Sequence, residues 1–385
     1  MDEANTPWIM VSQAAAITGL AQAAALSPAS PGQYHALFAA QVRVPPFDER
    51  VQSRWGWTAQ DLLLEALDRQ LLFIESQHPR DDLAQEEEPA RRTLALRCLV
   101  DPAHGCLSLV LIGKVCDLKR ELARQAALAY WRELAAVFPY DYLLQPVTGE
   151  AGFHAAAGWG LLAAAGKPQA VVEICRFEGA LVSSPSVIYL LGEWQRSLFA
   201  GEQIWRALAG CDRPLLLNVM LRPSVLLDAE LLALAEMAAA AEQAAAQAGL
   251  ATVHREAEWA ARAYAGLLSN LRYPYLVRLH LVCPQGVPEY LLRAVGSALT
   301  HAGQDEPPLP GYQSIPAGTQ DCLEQLRVNL AWLEPDAGPH DSRFAGFGRV
   351  RYLAGAHQAS ALFRLPFPGG SPAQALPFAP LPSAG

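Results

Sequence analysis

The stretch TLALRCLVDPAHGCLSLVLIGKV, residues 93–115, constrains the fold more than any other. Two runs rich in leucine, valine and isoleucine flank Asp-Pro-Ala-His-Gly, a turn sequence, and the pattern predicts a β-hairpin. A helix follows directly. LKRELARQAALAYWRELAAV (118–137) places Leu118, Leu122, Ala126 and Ala129 on one side, with Asp117 as its candidate cap. FPYDYLLQPV (138–147) then returns the chain to an extended path, because the residue before a proline avoids helical angles. Strand, strand, helix, strand is an α+β unit whose helix covers one sheet face.

A second such unit begins at Pro214. PLLLNVML reads as a buried strand, broken by Arg-Pro-Ser. A long helix runs to Gly249, another spans HREAEWAARAYAGLLSNL, and YPYLVRLHLVC is a strand in which Leu276, Arg278 and His280 alternate with Val277, Leu279 and Leu281. A helix starting near Pro288, a loop over 304–318, a helix over 319–333 and a short extended piece at 349–354 complete the unit. Between the units, 154–166 reads as a helix or a strap and PQAVVEICRFEGAL as partly strand. PSVIYLLGEWQRSLFAGEQIWRALAG reads as helical, with Trp194, Leu198 and Trp205 as packing residues. FPYDY (138–142) and YPYL (273–276) echo one another, each with aromatic-Pro-Tyr at a helix-to-strand exit. A duplicated lobe and two independent proline stops both account for the echo.

The expected fold class is therefore α+β, with two related sandwich-like lobes, each a sheet covered by helices. An N-terminal helical segment with an acidic loop (1–92) precedes the first lobe (93–206). The second lobe (207–365) leads into a Pro-rich linker or tail (366–385) with six prolines. Residues 8–26 carry no charge, but they are rich in alanine, interrupted by Ser12, Gln13, Thr18 and Gln22, and preceded by Asp2 and Glu3. They read as a soluble helix rather than a signal peptide or a membrane span. Residues 35–44 form a candidate strand, 58–76 a helix with Leu62, Leu63, Ala66, Leu67 and Leu71 at helical spacing, and 77–92 a charged connection.

The net charge is −9, and only three of the 29 basic side chains are lysine. The arginines are scattered, which argues against direct nucleic-acid binding. The cysteines (Cys98, Cys106, Cys116, Cys175, Cys211, Cys283 and Cys322) are odd in number and sit mostly in apolar runs. They fit a reduced, cytoplasmic protein better than a disulfide framework.

Few motifs carry chemistry. GLLAAAGKP (160–168) is a near miss for a phosphate-binding loop: five residues separate Gly160 from Gly166 where the loop has four, and Pro168 replaces the hydroxyl that holds magnesium. Cys98, His104, Cys106 and Cys116 lack zinc-knuckle spacing, and Cys98 and Cys106 read as apolar side chains facing each other across the hairpin. VSSPSV (182–187) reads as a turn. Asp141, Glu173 and Glu178 near Arg176 are candidate acid/base groups with ordinary explanations as surface or paired carboxylates, and His280 sits in a strand. No catalytic residue, cofactor or metal ligand is assigned from spacing.

Three stretches resemble a family. PLLLNVMLRPSVLLDAE is similar to the strand–Arg-Pro–helix segment in the N-terminal regions of HerA-like and conjugation-type (type IV secretion) ATPases. YLVRLHLVCPQGVPEYLLRAVGSALT is similar to the strand and helix that follow there. GRVRYLAGAHQASALFRLPFPGG resembles the junction that precedes their motor domain, and the resemblance spans about residues 93–370. It implies a non-catalytic accessory or assembly region acting through protein–protein contacts, with an ATPase motor domain or subunit as partner and self-association as a second contact. The motor is missing, so none of the family's nucleotide-binding residues maps onto this sequence. The alternatives are an independent interaction scaffold and an enzyme whose site is not visible in sequence. Tyr140, Tyr142, Tyr273, Tyr275, Phe363 and Arg364 are the candidate junction or interaction residues.

Overall fold

The computed structural model describes residues 6–13, 33–44, 58–79, 92–183, 186–195, 200–247, 251–300, 311–335, 348–367 and 376–381. The fold is α+β, as the sequence implies. The hairpin forms as expected, β3 (Thr93–Asp101) against β4 (Cys106–Asp117), with Asp101 opposite Cys106. β4 pairs on its other side with β2 (Tyr34–Arg43), and β3 pairs with β9 (Leu215–Pro223). β9 continues to β10 (Tyr275–Val282), β6 (Val171–Arg176) and β11 (Tyr312–Pro316). β1 (Met10–Gln13) and β5 (Leu143–Pro146) share the outer side of β2, and β12 (Leu353–Ala354) borders β10. Every pairing in this ten-stranded sheet is antiparallel. The pairing runs across the boundaries expected at residues 92 and 206: β2 belongs to the same sheet as β3, and β3 bonds directly to β9.

Helices cover both faces, which explains why β9 reads as a continuous apolar run rather than an alternating one. One face packs Phe38, Leu96, Leu109, Val219 and Leu279 under α1 (Ala59–Ser76), α2 (Arg120–Val137), α5 (Ala200–Ala209), α8 (Glu289–Thr300) and α10 (Ala356–Leu362). The other packs Leu37, Ala95, Ile112, Leu216 and Met220 under α3 (Glu150–Ala156), α4 (Trp159–Ala164) and α9 (Gln320–Trp332). A hairpin of α6 (Asp228–Gln247) and α7 (Ala251–Asn270) packs beside a separate ribbon of β7 (Glu178–Ser183) and β8 (Ser186–Leu191). Phe38 lies opposite Gly113, and a Cβ at Gly113 would collide with its ring. That gap lets Phe38 reach Tyr130 and Trp131, at 5.8 and 5.9 Å between ring centroids.

Several expectations are corrected. Within the expected N-terminal helix, Met10–Gln13 is a strand, because the outer edge of β2 offers unpaired backbone groups that β1 satisfies; residues 14–32 lie outside the described residues. Residues 186–191 form β8 rather than a helix, since their run of β-forming side chains finds a partner in β7. Part of the expected loop at 304–318 is β11, laid along the edge of β6. Asp117 accepts from the Lys119 N–H at 3.0 Å, but the helix starts at Arg120, two residues later than expected, with Lys119 at the cap and no side-chain cap bond. Cys98 faces Leu109, not Cys106. Residues 376–381 of the Pro-rich tail lie against the start of β4: the Leu107 N–H donates to the Pro377 carbonyl at 2.8 Å and the Ala379 N–H to the Leu107 carbonyl at 2.9 Å. Among the described residues, no helix is long and apolar enough to cross a membrane.

The register lines up polar side chains across the middle of the sheet. Gln41 and Arg97 both face Val110; Arg97 faces Asn218, Asn218 faces His280, and His280 faces Glu173. All are buried. Arg97 is fully enclosed, and among the described residues no carboxylate pairs with it. Its guanidinium donates to Asn218 Oδ1 at 2.8 Å and to the Ala157 and Leu330 carbonyls, at the ends of α3 and α9. Changing Arg97 to Met keeps much of the volume but strands these acceptors. We expect a loss on the order of 3 kcal/mol or more, seen as a lower urea midpoint at unchanged slope; an unmoved midpoint would show that the clasp holds nothing.

Candidate functional site

The candidate site is the junction at residues 356–367, built on α1. A capping box starts this helix: the Asp61 N–H donates to Thr58 Oγ1 at 3.2 Å and the Thr58 N–H to Asp61 Oδ2 at 2.8 Å. The Thr58 hydroxyl, donating to Asp61 Oδ2 at 2.6 Å, and then the Thr58 N–H hold the Asp61 carboxyl below its usual range. Leu63, Ala66, Leu67, Gln70, Phe73 and Ile74 are buried on the inner face. α10 packs against that helix, and its last turn delivers Phe363 to Phe73, 6.1 Å between rings. Phe73 meets Phe138 at 5.0 Å, and Phe138 meets Tyr142 at 6.2 Å.

The backbone beyond Phe363 is fixed by side chains from three places. The Leu365 N–H donates to Gln70 Oε1 at 3.1 Å. The Tyr142 hydroxyl donates to the Pro366 carbonyl at 2.9 Å, with Gln70 Nε2 reaching the same hydroxyl at 3.4 Å. The Phe367 N–H donates to Glu202 Oε1 at 3.0 Å. Burial pushes the Glu202 carboxyl up, opposed by that bond and by the Arg364 and Arg206 charges. A Cβ on Gly201 would come within 2.7 Å of Arg364 Nε, so the bare glycine in the first turn of α5 leaves room for the Arg364 side chain. At the start of α10, Arg176 Nη2 donates to Gln358 Oε1 at 2.7 Å and ties the junction to β6.

Of the six residues expected here, Tyr142, Tyr275, Phe363 and Arg364 are buried. The two echoed motifs both end on the same structure. Tyr142 reaches Gln70 of α1, while the Tyr275 hydroxyl donates to the Ile74 carbonyl near the end of that helix. Tyr273 is half-buried against His78, 5.5 Å between rings. Tyr140 points outward at 73% exposure, under the Arg69 guanidinium at 4.1 Å, and Arg69 also pairs with Asp141.

The acid/base candidates resolve into ion pairs. Glu173 is bonded by Arg278 and lies 3.7 Å from His280 and 3.5 Å from the Tyr352 hydroxyl. Glu178 takes Arg351 at 3.3 Å. Gly160 to Pro168 runs through α4 into a 3-10 turn, so a helix comes before the second glycine where a phosphate loop would need a strand before the first. Of the turn VSSPSV, Ser184 and Pro185 lie outside the described residues.

Sequence spacing missed one cluster. Among the described residues, His35, Cys116 and Glu334 bring one nitrogen, one sulfur and one carboxylate oxygen within 4.8 Å of one another. Burial, and then the Lys114 charge, push His35 down to about 3, so the ring is neutral at ordinary pH. Cys98, Cys106 and His104 are not part of it: Cys106 and His104 lie at the opposite end of β4, around Asp101.

No protein-family model matches this chain, and no curated protein matches it either.

Tyr142→Phe removes one hydroxyl and leaves the ring packing intact. We expect a loss of about 1 kcal/mol and faster hydrogen exchange confined to residues 363–367. Uniform exchange across α1 and β10 as well would mean that the bond supports the whole fold rather than the junction.

Proposed function

We propose that this chain is a non-catalytic accessory or assembly region of a HerA-like or conjugation-type ATPase system and acts through protein–protein contacts. The observation that carries this reading is the junction. Phe363 to Phe367 is held by α1, by Tyr142 and by α5, so a body attached beyond it would take its orientation from this fold. Pairing of the buried carboxylates Glu173 and Glu178 with arginine leaves them as structural groups. The partner in this reading is an ATPase motor, as a domain or a subunit, in the cytoplasm. None of the seven cysteines forms a disulfide, which fits that setting.

A specific surface favours a second reading, an interaction scaffold independent of any motor. Val225 and Leu227, and Leu231 and Leu232 on α6, are 42, 49, 47 and 61% exposed.

The test is co-elution of the purified chain with a HerA-like motor encoded in the same genome, with ATP turnover measured for each alone and together. The accessory reading expects no turnover by this chain and a complex whose turnover differs from that of the motor alone. ATP hydrolysis by this chain alone, tracking it through purification, would sink it. The scaffold reading expects Leu231→Asp with Leu232→Asp to abolish self-association, with no motor bound.

A further inference from the structure

His35 and Cys116 are cross-strand partners in β2 and β4, so both side chains leave the same face of the sheet. Glu334 reaches that point from the end of α9. Leu333, just before it, has φ of 52°, the one non-glycine residue with positive φ among the described residues, and the Glu334 N–H returns to the Asn329 carbonyl at 2.8 Å. The reversal aims Glu334 back over the sheet, with its Oε1 3.5 Å from His35 Nδ1.

His35 is 1% exposed, and among the described residues neither ring nitrogen has a hydrogen-bond partner. Its ring is fixed edge-on against Trp332 at 6.1 Å. Burying two imidazole nitrogens without partners costs free energy that a ligand at one of them would recover. Lys114, two residues before Cys116 on the same face of β4, places its ammonium on Glu334 Oε1.

We propose that His35, Cys116 and Glu334 form a site for a borderline-soft divalent cation, zinc, with three protein ligands and a fourth position for water or a solute. Nitrogen, sulfur and carboxylate oxygen together are a zinc donor set, and three protein ligands leave one position open. Tetrahedral zinc spaces such ligands by about 3.2–3.8 Å, so a limit of 4.8 Å closes with small side-chain rotations. Binding releases the Cys116 proton to solvent and forms the sulfur–zinc bond, while Glu334 exchanges the Lys114 ammonium for the metal. Lys114 is thus the cation that neutralises Glu334 when no metal is bound. A site defined by three distant segments also ties β2, β4 and the end of α9 together.

The test is titration of the reduced full chain with cobalt(II), followed by zinc. One cobalt per chain is expected, with a near-ultraviolet thiolate-to-cobalt charge-transfer band that stoichiometric zinc abolishes. Cys116→Ser loses the band, while Cys106→Ser and Cys322→Ser, at two other half-buried cysteines, keep it. Glu334→Gln weakens cobalt binding at least tenfold. Lys114→Met removes the competing charge and tightens binding at least tenfold, whereas a purely structural Lys114–Glu334 pair would give loss of stability without tighter binding. Circular dichroism and melting of each metal-free variant confirm that it is folded. Absence of the band at stoichiometric cobalt, its retention in folded Cys116→Ser, or binding by folded Lys114→Met no tighter than by the parent would each overturn the proposal.

Discussion

A sheet covered on both faces has to put its polar row somewhere, and here Arg97 carries that constraint. It stands on β3 at the pairing with β9, where the two halves of the sheet meet. Burial alone lowers its pKa, to about 9, so the guanidinium remains charged at neutral pH. The charge is met by acceptor dipoles, not by an opposite charge: Asn218 across the strand, and backbone carbonyls at the ends of α3 and α9. Helix ends carry partial negative charge on unpaired carbonyls, so an arginine under two of them satisfies both partners. Arg97 thereby ties the ends of α3 and α9 to the centre of the sheet.

The opposite layer is organised by aromatic side chains. α1 lies between three sources of contact: Phe138 and Tyr142 after α2, Tyr275 at the start of β10, and Phe363 after α10. Rings give large contact area with few torsions to freeze, and the two tyrosine hydroxyls find carbonyl acceptors at Pro366 and Ile74. The junction is therefore stiff because residues far apart in sequence each fix one point on it. Gln70 is the hub, accepting from the Leu365 N–H and donating to the Tyr142 hydroxyl with one side-chain amide.

What could be read from the chain was what local chemistry decides. The hairpin at 93–117 follows from its turn and its apolar runs, the helix at 59–76 from spacing, and β10 from alternation. The aromatic-Pro-Tyr exits pointed to Tyr140, Tyr142, Tyr273 and Tyr275; Tyr142 and Tyr275 are buried against α1, whereas Tyr140, which matches Tyr275 in the echo, is exposed. Strand or helix was undecidable where an apolar run lacks a period: Ser186–Leu191 is a strand because β7 is beside it. β11 and β1 are short edge strands whose identity comes from the strand they complete. Arg97 and Asn218 did leave a signal, each a lone polar residue in an otherwise apolar run. That signal gains meaning only once register places them opposite one another. His35 and Glu334 left none, since no local pattern joins them to Cys116.

The buried ion pairs of this sheet are not alike, and the cation that each one holds separates them. Arg278 bonds Glu173 and the Pro335 carbonyl, and its guanidinium lies 4.4 Å from the centre of the Tyr352 ring. Nε and Nη1 of that planar fork are bonded and its face lies on a ring, the geometry that suits arginine to a buried pair. Lys114 is a point charge on one oxygen of a half-buried carboxylate, beside an imidazole whose nitrogens make no hydrogen bond among the described residues. Holding Leu333 in the left-handed region costs on the order of 1 kcal/mol or more, and leaving His35 without partners adds to that. A lysine–glutamate pair needs neither: it forms as well with a glycine at the helix end and an apolar side chain at position 35. Both features have a common explanation if the carboxylate is positioned for the imidazole and the thiol, with the lysine as its counter-ion, which is the arrangement a three-ligand cation site requires.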